Sequence, residues 1–392
     1  MTMQRRDFLR AAGAAAGAAV LPGCATMGGG SAGKVVVVGG GYAGATCAKY
    51  LRMWSNGAVD VTLIEPREAF VSCPISNLVI GGSKTISDVT VPYDNLSRRW
   101  GVNVVRDTAT GIDVDKRVVT TAGGRNLPYD RLVLAPGIEF MWDAIASYKA
   151  DPVRATGIVP HAWQAGEQTV LLRRQLESMP DGGVYALSIP VAPYRCPPGP
   201  YERACQVAWY FKRAKPKSKV LVLDGNPDVT SKAGLFKKAW NDLYKGIVEY
   251  RPNHVLTDVD LATKTAKFET ADDVRASVLN VIPPHRAGGI ARTAGVITAN
   301  NRWCEVDFLS YESIRGKGVH VLGDSIQIAP GMPKSGHMAN NQAKVAAAAI
   351  LRQLGGQSPI ATPMLTNTCY SFITDKDVVH VASVHQYDVA KK

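Results

Sequence analysis

A chain of 392 residues, 46% apolar and 20% charged, has the make-up of a folded globular protein with two or three domains. That excludes a disulfide-dependent miniprotein, collagen, a coiled coil and wholesale disorder. Lysine and arginine total 45 against 33 acidic residues, a net +12 that suits an acidic partner as readily as nucleic acid and identifies neither, while the seven cysteines form no CxxC pair and so lack zinc-finger or iron–sulfur spacing.

The first thirty residues read as an address. Arg5 and Arg6 precede Phe8 and Leu9, and AAGAAAGAAVL continues as a small-residue apolar run to Pro22 and Gly23. This resembles a twin-arginine export signal, and the run is too short to cross a bilayer as a helix. LPGC, ending at Cys24, has some likeness to a lipoprotein processing site, but ordinary cleavage is the preferred reading. Removing residues 1–24 takes away three basic and one acidic residue and leaves +10, so the basic balance belongs to the folded part. Met27 to Gly33 reads as a flexible link. The expected destination is the periplasm, reached already folded, where disulfides are permitted.

KVVVVGGGYAGATCAKYLRMW follows. A fully apolar strand gives way to Gly39, Gly41 and Gly44 in GxGxxG spacing, with Tyr42 and Ala43 between them, at the opening of a helical pattern. The glycines allow a tight turn and close approach of a pyrophosphate, and the helix N-terminus offers amides and a favourable dipole. A second apolar strand ends at Glu65, placed to accept hydrogen bonds from an adenosine ribose. Cys47, inside the first helix among alanines, reads as a packed small hydrophobe. Further on, an apolar strand from Leu132 to Ala135 runs into Pro136 and Gly137, and GVHVLGD ends a strand at Asp324. These two segments resemble the remaining fingerprints of two-dinucleotide-domain flavoproteins, in which an acid at the position of Asp324 lies near the FAD pyrophosphate and ribityl chain, so FAD is favoured over NAD. Alanine-rich spacing then predicts a helix from about Ser335 to Leu351. Its N-terminus and Lys334 are expected to face the isoalloxazine and favour negative charge on the reduced ring.

Between roughly Ala150 and Pro283 the strand, helix, strand pattern recurs, ending near Asp224, and a second doubly wound half is the economical reading. Where an NAD(P)H-binding copy needs a glycine-rich phosphate turn, this chain has VAPYRCPPGPYERA. Pro193, Pro197, Pro198 and Pro200 cannot supply those amides, and the loop is suited to displaying a side chain, Cys196. The basic run Phe211 to Lys219 reads as a solvated connection. Asp258 to Val278 reads as irregular strands and turns, and His285 as a boundary residue where the chain crosses back to the first domain.

FVSCPISNLVIGG, HAWQAGEQT around His161, YRCPPGPYERA, GMPKSGH and LTNTCYSF together resemble the flavin subunit of flavocytochrome c sulfide dehydrogenase, related more distantly to sulfide:quinone oxidoreductases. The resemblance covers residues 34 to about 373. It implies an α/β fold with two Rossmann-like dinucleotide-binding domains, as in glutathione-reductase-type flavoproteins, and a short C-terminal segment. The implied division is 34–147 for the first part of the FAD domain, 148–283 for the second Rossmann-like domain, 284–358 for the second part of the FAD domain and 359–392 for the segment bearing Cys369, after a signal and linker over 1–30. It further implies FAD attached through Cys73, a redox disulfide between Cys196 and Cys369, and an active-site acid at Glu202. Hydrosulfide would attack that disulfide and leave a persulfide. No metal is called for. The resembled acceptor is a haem c subunit, and because this sequence has no CxxCH the haem is expected on a separate chain. Cys205 and Cys304 read as structural. The tail after NTCYSF is shorter than the family pattern, which puts the usual acceptor in question. A related sulfur or thiol oxidoreductase using quinone, and a non-catalytic flavin-bearing interaction protein, are the alternatives.

Overall fold

The computed structural model describes residues 31–388; the twin-arginine segment, Cys24 and the last four residues lie outside that range. Five parallel strands form the first sheet, in the spatial order Val319–Val321, Arg131–Leu134, Lys34–Val38, Asp60–Ile64, Asn103–Val105. The unbroken valine and leucine runs follow from position, since a parallel strand covered on both faces has no solvent side to alternate with. Val35 to Val38 are all buried. Helix Tyr42–Trp54 crosses one face and packs against the C-terminal helix Gly336–Leu354. The contact uses small side chains: Ala43, Cys47 and Ala48 share a core with Ala339, Ala343, Ala346 and Ala347. Ser335 caps the latter helix, its hydroxyl accepting from Met338 N at 3.0 Å. The start is where the sequence placed it, and the end runs about a turn further, to Leu354.

The second sheet has four parallel strands, ordered Val248–Arg251, Lys219–Asp224, Val184–Ile189, Val278–Val281. Helix Gly199–Ala214 lies over it, with Tyr201, Cys205, Val207, Ala208 and Phe211 inside. Strand His285–Ala287 pairs antiparallel with Ile138–Phe140 where the chain returns to the first sheet.

Two segments differ from expectation. Residues 256–275 are a regular antiparallel meander, Leu256–Asp260, Thr265–Phe268 and Val274–Arg275, with one register shift between Leu256 and Asp258. Val259, Ala266, Phe268 and Val274 point inward from strands that are otherwise polar, which is why no continuous apolar run marks them. The C-terminal segment is a long hairpin, Met364–Phe372 with Val378–Gln386, in which Cys369 faces Val381. The basic connection is solvated as expected, with Lys212, Arg213, Lys217 and Lys219 exposed, and Lys215 Nζ donates to the carbonyls of Glu177 and Met179 at the end of helix Glu167–Ser178. Among the described residues no helix is long and apolar enough to cross a membrane, and no cluster of side chains could hold a metal ion.

Candidate active site

A cleft with about 1060 Å³ of empty space, solvent at its mouth included, opens at the carboxyl ends of the first sheet's strands. Gly39, Gly41, Tyr42, Ala43, Glu65, Cys73, Gly137, Cys196, Asp324 and Lys334 all border it. Gly44 stands behind, where its role is packing: a Cβ there would lie 1.8 Å from Gly39 O. Gly39, at φ +97, would bring a Cβ to 2.4 Å from Ala135 O. The helix at Tyr42 begins without a side-chain cap, which leaves its first amides for a ligand. Glu65 is 3% exposed and accepts from Gly40 N at 2.8 Å and Arg67 N at 3.0 Å.

These features fit the adenosine and pyrophosphate of FAD. A Cβ on Gly41 would meet nothing within 4 Å, and its φ of −70 suits any residue, so Gly41→Ala leaves the fold untouched and places a methyl group in the cleft. In a Cys73→Ser background, where no thioether can hold the flavin, the variant is expected to keep the thermal midpoint of its flavin-free parent and to bind FAD about tenfold less tightly, read by titrating flavin-free protein with FAD.

The cysteine loop is held from three sides. Cys196 sits at φ +54, a strained setting for a side-chain-bearing residue. Its N–H donates to Lys334 O at 2.7 Å and its carbonyl accepts from Gly199 N at 2.8 Å. Arg195 N donates to His285 Nδ1 at 3.2 Å, and Arg195 Nη2 reaches Cys73 Sγ at 3.2 Å, whose thiol in turn donates to Trp163 O at 3.1 Å. His285 is thus more than a boundary residue. It is fully buried behind the loop, and burial with nearby arginines holds it neutral. Neutral too is His161, lowered to about 3 by burial, with Nδ1 accepting from Trp163 N.

Lys334 is placed differently from the sequence expectation. It borders the cleft, but its ammonium is spent on the carbonyls of Asp324 and Ile326, at 2.9 and 2.5 Å, and rests 3.6 Å from the centre of the Trp303 ring. Burial lowers it to about 7. It ties the turn bearing Asp324 to the loop that anchors Cys196.

Cys369 and Glu202 do not border the cleft; they lie behind Cys196. Glu202 Oε1 accepts from Phe372 N at 2.8 Å and Oε2 from Asn77 Nδ2 at 3.1 Å. Gln206, one turn on, donates to Phe372 O and Thr374 O. On the other side Ser335 Oγ bonds Asn367 Oδ1 at 2.7 Å, and Thr368 N donates to His337 Nδ1 at 2.8 Å. The hairpin is therefore clamped before and after Cys369, and that clamp presents Cys369 to Cys196. Both are free thiols in this structure. Burial, then the charge of Cys369, pushes the Cys196 thiol well up; burial also raises Cys369, opposed by Lys232.

Burial pushes Glu202 up from 4.5 to about 7, against the hydrogen bonds from Phe372 N and Asn77. It can therefore hold or release a proton near neutrality. Below 4.5 the carboxyl is protonated in folded and unfolded chains alike. Between 4.5 and about 7 only the unfolded chain ionises it, so stability falls as pH rises through that window and levels off above it. Glu202→Gln is expected to remove roughly 3 kcal/mol of that decline, measured by denaturant unfolding of both proteins at acidic and mildly basic pH.

Residues invisible to sequence reasoning complete the site. Arg203 is buried, forms no ion pair among the described residues and donates to Asn77 Oδ1, His161 O, Asn280 Oδ1 and Ala162 O. Arg195 carried one available signal, adjacency to Cys196. Cys47, Cys205 and Cys304 are fully buried, away from the cleft.

The architecture is that of FAD-dependent pyridine-nucleotide-disulfide oxidoreductases, with two parallel dinucleotide-type sheets and a cysteine pair beside the cofactor cleft. The chain belongs to that superfamily, in the branch of the sulfide-oxidising flavoenzymes. The family description "Sulfide dehydrogenase (flavocytochrome c) flavoprotein chain, central" matches residues 169–283. "Flavocytochrome c sulphide dehydrogenase, flavin-binding" matches 361–392, "Pyridine nucleotide-disulphide oxidoreductase" 33–146, and the twin-arginine signal 2–22. The last of these assigns the chain to twin-arginine export and hence to the periplasm. The mitochondrial sulfide:quinone oxidoreductase of Dictyostelium discoideum is 25% identical over 301 residues, 74% of this chain and 65% of that one, so the chain spans just under two thirds of that relative's length. A flavocytochrome c sulfide dehydrogenase flavoprotein chain from Chlorobaculum thiosulfatiphilum is 59% identical over 46 residues, 12% of this chain and 94% of that sequence. Among solved structures, the sulfide:quinone oxidoreductase of Aquifex aeolicus superposes with a TM-score of 0.73 at 18% identity, over 89% of this chain and 87% of that one. The family matches agree with the cleft in assigning FAD as the cofactor.

Proposed function

We propose that this chain is an exported oxidoreductase that oxidises sulfide to persulfide, polysulfide or elemental sulfur through Cys196 and Cys369. The observation that carries the reading is the clamp beside the cleft: the Cys196 loop is anchored on Lys334 and the hairpin bearing Cys369 on the adjacent Ser335, which brings together two cysteines far apart in the chain. In the oxidised form the two sulfurs would be joined. Hydrosulfide attack breaks that bond, makes a new sulfur–sulfur bond to the attacked cysteine and leaves the electron pair on the released one. Glu202, poised near neutrality, takes or returns the proton. Asn77 and Phe372 N orient its carboxyl, and Lys334 with His285 fixes the loop on which Cys196 stands.

FAD, held by the glycine turn, Glu65, Gly137 and Asp324, supplies a two-electron acceptor that can release electrons singly. Cys73, whose thiol lies on the cleft wall between Trp163 O and Arg195, is the proposed attachment point, and a flavin-bearing Cys73 peptide after denaturation checks it.

A c-type cytochrome on a separate chain is the proposed acceptor. The flavocytochrome c descriptions that match the centre and C-terminus support it. Quinone is the second reading, favoured by the sulfide:quinone relatives that cover most of the chain. Initial rates with sulfide as donor, using a c-type cytochrome in one arm and a short-chain quinone in the other, separate them. Preferential reduction of the quinone overturns the cytochrome reading.

A further inference from the structure

Lys232 belongs to no motif in the sequence and lies in the turn after the second strand of the second sheet. Its backbone is left-handed, φ 60 and ψ 35, in a residue with a full side chain, immediately before helix Ala233–Leu243. A residue of this kind keeps such a conformation only where its surroundings impose it. The ammonium crosses to the C-terminal hairpin and donates to Cys369 O at 2.6 Å and Ser371 Oγ at 2.8 Å. Its positive charge, held on the carbonyl of Cys369 itself, opposes the burial that raises the Cys369 thiol. Among the described residues no carboxylate forms an ion pair with Lys232: Glu202, the acid that acts on it, is engaged by Phe372 N and Asn77.

We propose that Lys232 is a catalytic cation of the sulfur site, binding the negative charge that develops on the sulfur of Cys369. The proposal rests on the reading of Cys196 and Cys369 as a sulfide-oxidising pair and adds to it the group that recognises the anion. The charge balance requires such a group whichever sulfur hydrosulfide attacks. Attack at Cys196 transfers the electron pair of the broken bond to Cys369 as a thiolate. Attack at Cys369 leaves a persulfide there, whose outer sulfur is the anion after proton loss. In either case the charge appears beside a half-buried ammonium, in surroundings where a pair of opposite charges interacts more strongly than in water. The groups facing that ammonium are Glu202 from helix Gly199–Ala214, Cys196 from its loop, and Cys369 with Ser371 from the hairpin. Burial raises both Glu202 and Cys369, and Lys232 opposes both shifts. While Glu202 stays protonated it does not neutralise Lys232, so the positive charge is free to act on sulfur.

The test follows alkylation of Cys369 against pH in reduced, full-length protein with its flavin, using iodoacetamide and mass spectrometry of the Cys369 peptide. Lys232→Gln keeps a hydrogen-bond donor for Cys369 O and Ser371 Oγ but removes the charge. It is expected to raise the alkylation midpoint by about one pH unit or more, whereas Lys232→Arg stays close to wild type. Circular dichroism and flavin occupancy confirm that both variants are folded. A Lys232→Gln midpoint equal to wild type overturns the proposal, and so does an equal displacement in Lys232→Gln and Lys232→Arg, which would make the lysine a structural tie. The readout uses no sulfide. A protein whose flavin ignores sulfide but whose Cys369 midpoint moves as stated would sink the sulfide reading and leave the anion-binding role of Lys232 standing.

Discussion

Cys196→Ser and Cys369→Ser are each expected to slow reduction of the bound flavin by sulfide by roughly a thousandfold or more. A serine oxygen cannot form or exchange a disulfide, so either change removes the bond that hydrosulfide attacks. The exchange is close to isosteric, and neither residue anchors its own segment through its side chain. Cys196 is held by backbone bonds to Lys334 and Gly199, and the hairpin by Asn367, Thr368 and Phe372. Flavin content and thermal midpoint should therefore stay near wild type, and the loss should appear in the rate alone. The two effects should not add in the double variant, because the cysteines act as one unit. Stopped-flow absorbance of the flavin under anaerobic conditions reads all three proteins. A single variant reduced at the wild-type rate would remove the pair from the mechanism.

Arg203→Met is expected to cost on the order of 4 kcal/mol of folding stability. Three guanidinium nitrogens serve four acceptors, all buried: Asn77 Oδ1, His161 O, Asn280 Oδ1 and Ala162 O. Methionine fills the volume but leaves Asn77 Oδ1 and Ala162 O in a dry interior without a donor, while His161 O keeps Asn280 Nδ2 and Asn280 Oδ1 keeps the Tyr185 hydroxyl; an orphaned acceptor is the expensive half of a buried hydrogen bond. Function should suffer with it. Asn77, which Arg203 positions, also holds Glu202, and the His161–Trp163 segment supplies the carbonyl that meets Cys73. Denaturant unfolding reads the effect. A midpoint unchanged from wild type would mean that the network does not hold the site together.

The parts of this molecule legible in its sequence are those set by neighbours in the chain. Val35 to Val38 followed by three glycines specifies a buried parallel strand and a tight turn, because periodicity and backbone freedom are local properties. Ser335 before an alanine-rich run announces a helix start for the same reason, and Asp324 at the end of an apolar strand falls on the cleft as its motif indicates. The hairpin bearing Cys369 hides its alternation, since Asn367 and Ser371 are buried and polar, and a count of apolar residues passes over them. Lys232 and His285 are illegible on different grounds. Each acts across the fold, Lys232 on Cys369 and His285 on Arg195, and only tertiary packing decides which distant lysine or histidine arrives. Lys334 marks the boundary between the two cases. Its position was readable, but its ammonium turns to carbonyls that no motif reveals.

The central claim is that sulfide delivers its electrons to this protein's flavin through the cysteine pair. Anaerobic rapid mixing of the purified, flavin-loaded protein with sulfide, followed at the flavin absorbance band, tests it directly. The account predicts bleaching of the oxidised flavin in the wild type and its loss in Cys196→Ser and Cys369→Ser. A wild-type flavin that stays oxidised in excess sulfide would contradict it.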